Sequence, residues 1–275
     1  MTQGTLQVAG IAGPISGNGT ALVVLTNTLT ALNGGPITYS PPGNFNGSVT
    51  LGVMVNDLGN TGGTPNNVSN SIPFMVASVN DLPVVDLNGP AAGTGPTVTF
   101  TEGAGAVLVV TNDATITDVE NGPIVALTAT VNVLNAGAEI LSANVGSTGI
   151  ITSYNPALGR LLLTGNHSIA DYLGVLKTLR YNNTSDNPNT ANRTVQVTVR
   201  DADGGASAPA SATVEVDAQN NPPVLDLNGA VAGVDNAVTF TEDGGARILP
   251  DVGFTLVDPD SANLSSVTIA LTNRG

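Results

Sequence analysis

The sequence predicts an all-β protein, a tandem series of β-sandwich domains whose middle member carries one short helix. Three observations lead there. First, a long segment recurs at a constant offset. Pro83-Val84-Val85-Asp86-Leu87-Asn88-Gly89 returns as Pro223-Val224-Leu225-Asp226-Leu227-Asn228-Gly229, Val98-Thr99-Phe100-Thr101-Glu102 as Val238-Thr239-Phe240-Thr241-Glu242, and Asp118 as Asp258. The period, the separation of Asp86 from Asp226, is a whole domain and far exceeds a solenoid unit of about 20–50 residues. Second, Val and Thr dominate a chain with 33 Gly, 17 Pro and only 3% aromatic residues, a mixture that favours pleated strands joined by tight turns. Third, apolar residues alternate with polar ones. Thr194-Val195-Gln196-Val197-Thr198-Val199-Arg200 puts three valines on one face, and Thr213-Val214-Glu215-Val216 repeats the pattern.

In chain order, residues 1–82 read as the second half of a related unit. Leu25-Thr26 aligns with Leu163-Thr164, Ile37-Thr38-Tyr39 with Leu179-Arg180-Tyr181, and Val53-Met54-Val55-Asn56-Asp57 with Val197-Thr198-Val199-Arg200-Asp201. Residues 83–221 form the complete copy. Within it, Asp201-Ala202-Asp203-Gly204-Gly205 signals a hairpin turn between the two alternating runs. One stretch departs from the β pattern. Ser168 and Asp171 make a capping box, and Ile169, Tyr172, Leu173 and Leu176 follow at helical spacing, so 168–179 is expected to be an amphipathic helix packed on the sandwich. Residues 222–275 read as the first half of a further unit. Ala77-Ser78-Val79-Asn80-Asp81-Leu82-Pro83 and Asp217-Ala218-Gln219-Asn220-Asn221-Pro222-Pro223 are the linkers, short and proline-terminated, hence stiff.

Composition excludes several function classes. There is no Cys, so no disulfide or thiolate metal site is available. The net charge of −14 repels nucleic-acid phosphates and anionic membranes and attracts cations. No apolar run reaches the ~20 residues that span a bilayer. Met1-Thr2-Gln3 lacks the basic start and apolar stretch of a signal peptide, and with the repeat this leads to the expectation of a segment from a longer exported protein.

The acids cluster where domains meet. Asp258-Pro259-Asp260-Ser261-Ala262-Asn263 and the looser Asp118-Val119-Glu120-Asn121 are acidic loops, Thr101-Glu102 and Thr241-Glu242 are early acids, and Asp217 to Pro223 is an Asn-rich linker. Together with the Asp201-Ala202-Asp203 hairpin, these motifs resemble, in order, those of bacterial cadherin-like tandem repeats in giant surface adhesins and matrix proteins. The resemblance covers about the whole chain, residues 1–82 matching the later half only. It implies Greek-key sandwiches of cadherin or immunoglobulin-like type and Ca2+ at the junctions. Carried over residue by residue, it places Glu102, Asp217, Asn220, Asn221, Asp258, Asp260 and Asn263 at the second junction. At the first it places Asn80, Asp81, Asp118, Glu120 and Asp201. Ala77, Gln219 and Asn220 stand where acids are expected, and Tyr154-Asn155-Pro156-Ala157-Leu158 holds no carboxylate, so one ion per junction is expected. Calcium takes six to eight oxygen ligands, which such residues supply. Two carboxylates ~4 Å apart repel by roughly 4 kcal/mol at an effective dielectric near 20, a cost that a cation would remove. The alternative reading is Asx-turns and solvated loops without metal.

Other motifs point to structure. His167 is the only histidine and precedes the helix cap, and no Gly-x-Ser-x-Gly elbow exists. Gly17-Asn18-Gly19 and Gly103-Ala104-Gly105 lack the remainder of a nucleotide fingerprint and read as turns. Asn46-Gly47-Ser48 is a glycosylation sequon that follows from the Asn-rich composition. The expected function is therefore non-enzymatic: a calcium-rigidified stalk or fibre segment at the cell surface, touching neighbouring repeats and carrying any surface or polysaccharide ligand through other domains. A second reading is a filament subunit in which 222–275 of one molecule completes 1–82 of the next, the two pieces together nearly matching one repeat in length. A third is a carbohydrate-binding module using Tyr154, Tyr172 or Tyr181.

Overall fold

The computed structural model describes residues 4–9, 15–16, 19–25, 36–59 and 62–272. Met1-Thr2-Gln3, Gly17-Asn18 and Thr26, which carry sequence expectations above, lie outside them. Among the described residues the regular elements are strands except for one helix, and the chain divides into two compact units, Met1–Asn80 and Asp81–Gly275.

The first unit contains β1 (Thr5–Val8), β2 (Ile15–Ser16), β3 (Val24–Leu25), β4 (Ile37–Ser40), β5 (Gly47–Asn56) and β6 (Asn67–Val76). They pair antiparallel as β1 with β4, β2 with β3, and β5 with β6. The β5–β6 hairpin is long, running from Gly47 opposite Val76 to Asn56 opposite Asn67. Asp57 closes its turn, its Oδ1 accepting from the backbone N–H of Gly59 (3.0 Å) and Asn66 (2.8 Å). The Asn66 N–H, followed by that of Gly59, holds the Asp57 carboxyl below the ordinary range.

The second unit contains β7 (Val84–Asp86), β8 (Thr97–Thr101), β9 (Val107–Leu108), β10 (Thr115–Thr117), β11 (Ile124–Val131), β12 (Glu139–Ser142), β13 (Ile151–Asn155), β14 (Arg160–His167), helix α1 (Ile169–Leu176), β15 (Arg180–Asn183), β16 (Arg193–Asp201), β17 (Ala210–Asp217), β18 (Val224–Asp226) and β19 (Thr255–Val257). Residues 83–221 make a β-sandwich. One layer is a six-stranded sheet in the order β13-β14-β11-β16-β17-β8, and the other is the three-stranded sheet β12-β15-β9, with β7 and β10 forming a separate pair. Among the described residues, the only parallel ladder joins the repeat's first long strand to its last: β8 runs beside β17, Thr97 opposite Thr213 through Thr101 opposite Asp217.

Alternation decides which side of each strand is buried. In β16, Val195, Val197 and Val199 face the core while Thr194 and Gln196 face solvent, as expected. In β11 the register shifts between Ile124 and Ala126, and this bulge lets Ile124 and Leu127 both point inward despite their odd spacing. The layers meet where Phe100 of the large sheet touches Tyr181 of the small one edge to face, ring centroids 5.4 Å apart. Helix α1 starts where the capping box places it. Ser168 Oγ accepts from the Asp171 N–H (3.1 Å), and the Ser168 N–H donates back to Asp171 Oδ2 (3.3 Å). It ends at Leu176, short of the expected limit at 179, because Thr178 Oγ1 donates to the Val175 carbonyl (2.7 Å) and closes a turn. Tyr172, Val175 and Leu176 bury its inner face.

The core has a polar centre. Glu139 and Arg193, far apart in sequence, form a fully buried ion pair. Glu139 also accepts from the N–H groups of Leu134 (2.7 Å) and Asn135 (3.0 Å) and from the Tyr181 hydroxyl (2.9 Å). Arg193 donates further to the Ala191 carbonyl and to Asn135 Oδ1 (2.9 Å). Burial alone would push the Glu139 carboxyl up. Bonds from the Asn135 N–H, Arg193, the Leu134 N–H and Tyr181 outweigh it and hold the group below its usual value. Burial, then the hydrogen bond to Glu139 and its charge, push the Tyr181 phenol upward.

Residues 222–272 repeat the opening of the complete domain bond for bond. Asp86 Oδ1 accepts from the N–H of Asn88 (2.9 Å) and Gly89 (2.8 Å), and Asp226 Oδ1 from those of Asn228 (3.0 Å) and Gly229 (3.1 Å). β7 meets β10 with Val85 opposite Ile116, and β18 meets β19 with Leu225 opposite Leu256. Both glycines need their left-handed backbone, with φ of 64° at Gly89 and 62° at Gly229. This opening therefore folds on local hydrogen bonds. Beyond it the copies diverge, for 237–241, the equivalent of β8, forms no strand.

Candidate metal centre

Two groups of acids sit at opposite ends of β16 in the complete sandwich. At its C-terminal end, Asp201 is buried, and its Oδ1 accepts from the Gly205 N–H (2.7 Å), closing the expected hairpin. Asp118 lies in the same neighbourhood. Its Oδ1 accepts from the Glu120 N–H (3.0 Å), while its Oδ2 is buried with no hydrogen-bond partner. Glu120 Oε2 in turn accepts from the Asp81 N–H (3.3 Å), which ties the linker to this loop. Burial first, then the charge of Glu120 and, more weakly, that of Asp201, push the Asp118 carboxyl above its ordinary value. Of the residues expected at the first junction, Asp81, Asp118, Glu120 and Asp201 thus belong to one neighbourhood. Asn80 falls on the far side of the division between the two units.

At the other end, Asn221 is the hub. Its backbone N–H donates to Asp260 Oδ2 (2.6 Å) and its side-chain amide donates to Glu102 Oε1 (2.6 Å) and to the Asp186 carbonyl (3.0 Å). The Gln219 N–H donates to Glu102 Oε2 (2.9 Å), and Gln219 Nε2 donates to Asp217 Oδ2 (3.0 Å). Asp258 Oδ1 accepts from the Asp260 N–H (3.3 Å), as an Asx-turn requires, and from the Ser261 N–H (3.0 Å). The Asn221 N–H, followed by the neighbouring Asp258 side chain, holds the Asp260 carboxyl below its usual range. Asn220 turns its amide to the Asn221 carbonyl (3.3 Å), and the Asn263 N–H donates to Ser261 Oγ (3.2 Å). Neither of these bonds reaches the Glu102 or Asp260 carboxylate. Gln219 and Asp186, absent from the expected set, are part of the junction.

Among the described residues, no three Asp, Glu or His side chains approach closely enough to hold an ion as they stand. The donor chemistry differs between the ends. The first end carries the hard oxygens of Asp118, Glu120 and Asp201, among which Asp118 Oδ2 is buried without a hydrogen-bond donor, the oxygen chemistry that a hard cation takes. At the second end, N–H groups bond both Glu102 oxygens and Asp260 Oδ2.

The remaining candidates are structural. Gly149 and Gly165 leave room for the His167 ring, and a Cβ on Gly165 would lie 2.8 Å from it. Tyr172 and Tyr181 are fully buried, burial pushing the Tyr172 phenol to about 12, and Tyr154 gives its hydroxyl to the Glu139 carbonyl (2.7 Å). Tyr172 and Tyr181 thus present no ring face to solvent, while Tyr154 is half-buried. A shallow surface depression beside α1 is lined by Asn144, Val145, Thr148 and Asp171 among others. No helix among the described residues is long and apolar enough to cross a membrane.

No protein-family model and no curated protein matches the chain. Among solved structures it is similar to the cohesin module from a Clostridium perfringens family 33 glycoside hydrolase, at 12% identity and a TM-score of 0.29, covering 52% of this chain and 100% of that one.

Proposed function

We propose that this chain is a segment of an extracellular, non-enzymatic array of cadherin-like β-sandwiches that acts as a spacer or fibre, with calcium tightening the end of the complete domain that bears Asp118. The observation that carries this reading is the double attachment of the second linker. Through Asn221 and Gln219, the stretch from Asp217 to Pro223 is bonded both to Glu102 of the complete domain and to Asp260 of the next repeat. A linker held on both sides transmits orientation from one repeat to the next, which suits a protein whose task is to hold a distance.

At the other end, Asp118, Glu120 and Asp201 would hold the ion, with the Asp81 segment beside them. Burial, then the charges of Glu120 and Asp201, raise the Asp118 carboxyl, and the ion would offset these costs. Binding by the folded state alone would then stabilise it through mass action.

Titration calorimetry with calcium, paired with melting in calcium and in chelator, tests the proposal. Uptake that disappears in Asp118→Asn, with a melting temperature raised by calcium only in the parent chain, supports it. Heat and melting curves indifferent to calcium in the millimolar range overturn it.

A further inference from the structure

We propose that β13, the outer strand of the six-stranded sheet, is a docking edge for β13 of a second copy of this chain, so that two complete sandwiches join side by side through one continuous antiparallel sheet. The edge lies wholly within the complete domain. In the order β13-β14-β11-β16-β17-β8, β13 has β14 as its only strand neighbour. Hydrogen bonds of an antiparallel strand alternate between its two sides, so about half of the N–H and C=O groups of Ile151–Asn155 point away from β14. Among the described residues, no strand pairs with that side.

Edge strands of soluble sheets carry devices that keep other chains away, such as charged side chains, an internal proline or a bulge. β13 has none of these. Its sequence, Ile151-Thr152-Ser153-Tyr154-Asn155, is uncharged and free of proline, and its ladder runs unshifted from Ile151 opposite Thr164 to Asn155 opposite Arg160. The other edge of the same sheet differs: β8 runs into Glu102, and Asp217 lies opposite its last residue. Apolar side chains also collect beside the bare edge. Ile151 is 69% exposed and Leu158, in the turn after β13, is 56% exposed. Ile140 of β12, which touches β13, is exposed as well.

Charge identifies the occupant. The chain holds 21 Asp and Glu against 7 Lys and Arg, so two copies repel each other over most of their surface. Residues 140–159, however, contain no charged side chain, and β14 adds only Arg160 and His167. The acid that opens β12, Glu139, is buried against Arg193. An equally acidic copy therefore meets no like charge on this edge, and a basic partner finds no acid there to pair with. The strand is also complementary to itself. A two-fold axis at Ser153 sets Ser153 opposite the partner's Ser153, Thr152 opposite the partner's Tyr154 and Ile151 opposite the partner's Asn155. The resulting pairs of a β-branched with an aromatic side chain are favourable across strands. A five-residue edge with these flanking side chains buries on the order of 800 Å² in total, the size of a transient contact, so a Kd of roughly 0.1–1 mM is expected. No ion enters the contact, which separates it from the calcium reading.

The absence of cysteine makes the test direct. Ser153→Cys in the full chain, oxidised in chelator, should give a covalent dimer, because opposed residues of an antiparallel pair lie about 4.5–5.5 Å apart between Cα atoms, within reach of a disulfide. Thr152→Cys should give far less, since the same register sets its two copies ~8 Å apart, beyond that reach. In sedimentation, also in chelator, the weight-average mass of the parent chain should rise toward that of a dimer as concentration approaches about 1 mM. Ser153→Lys, which alters an exposed side chain, sets two like charges face to face at the axis. It should remove the association and leave the melting temperature of the complete sandwich unchanged. A parent chain that stays monomeric through about 1 mM overturns the proposal. So does association that survives Ser153→Lys, or cross-linking of Thr152→Cys equal to that of Ser153→Cys. The cysteine comparison decides by itself, whatever the lysine does to the fold.

Discussion

Replacing Glu139 by Gln tests the buried ion pair by leaving shape almost intact and removing one charge. In the parent, one carboxylate receives four donors: the Leu134 and Asn135 N–H groups, the Tyr181 hydroxyl and Arg193 Nε. A Gln amide can accept on one side only, and its own N–H groups must face at least one of those donors. Arg193, fully buried, then lacks its counter-charge. Breaking a buried pair in this way costs about 3–5 kcal/mol, because an uncompensated charge stays in a low-dielectric core. For a domain of about this size each kcal/mol moves the melting temperature by roughly 2–4 °C, so a loss of roughly 10 °C is expected. Arg193→Met should cost a similar amount by stranding Glu139. The double variant Glu139→Gln with Arg193→Met should recover part of the loss, since the Gln can still accept from the Leu134 and Asn135 N–H groups. A coupling of about 1.5–3 kcal/mol is the expected outcome of the cycle. Differential scanning calorimetry of the full chain at neutral pH measures it. A Glu139→Gln transition within about 2–3 °C of the parent, with additive single effects, would falsify the claim that this pair is a coupled unit.

Three further outcomes are expected. Asp118 has a raised carboxyl in the folded state, so its contribution runs against the usual carboxylate trend: the native state binds more protons than the unfolded one, and stability falls as pH rises from about 3.8 through the folded value. Glu139 has the opposite sign, its contribution being full above about 4.5 and lost as pH falls through its lowered folded value. Melting curves of Asp118→Asn against the parent across this range separate the two, the variant lacking the fall with rising pH. Asn221→Ala should loosen the second linker by removing the amide bond to Glu102, seen as faster amide exchange at Gln219 and Asn221 with the sandwich melt unchanged. Unaltered exchange there would show that the bond does not hold the linker. Ser168→Ala should lower stability by about 1 kcal/mol through loss of the α1 cap, measured by urea denaturation, and Ser168→Gly by less.

Much of the fold can be read from the chain because its signals are local. The valines of β16 state their face by period two, Ser168 and Asp171 announce the helix start within a single turn, and Asp201 names its own turn. The Glu139–Arg193 pair escapes such reading because its partners are distant in sequence and charged residues at strand ends ordinarily face solvent. A signal exists all the same, since Arg193 is in phase with Val195, Val197 and Val199 and so has to point inward. The acids of the two ends are legible as residue types, but their roles are not. Whether a carboxylate is bare, as at Asp118 Oδ2, or already filled, as at Glu102, depends on which backbone N–H groups reach it, and only the folded chain decides that. The helix end shows the same limit, since Thr178 stops α1 with a hydroxyl bond that helical periodicity does not reveal.

The parallel contact between β8 and β17 has a mechanical consequence. Tension drawn along the molecule pulls β8 from its Thr97 end and β17 from its Asp217 end, and these lie at opposite tips of the paired segment. The rungs from Thr97–Thr213 to Thr101–Asp217 must therefore slide and fail in concert, whereas a hairpin tugged from its open end peels one bond at a time. Optical-tweezer extension should show the complete sandwich yielding in one abrupt, high-force event, ahead of which the β5–β6 ribbon has already given way.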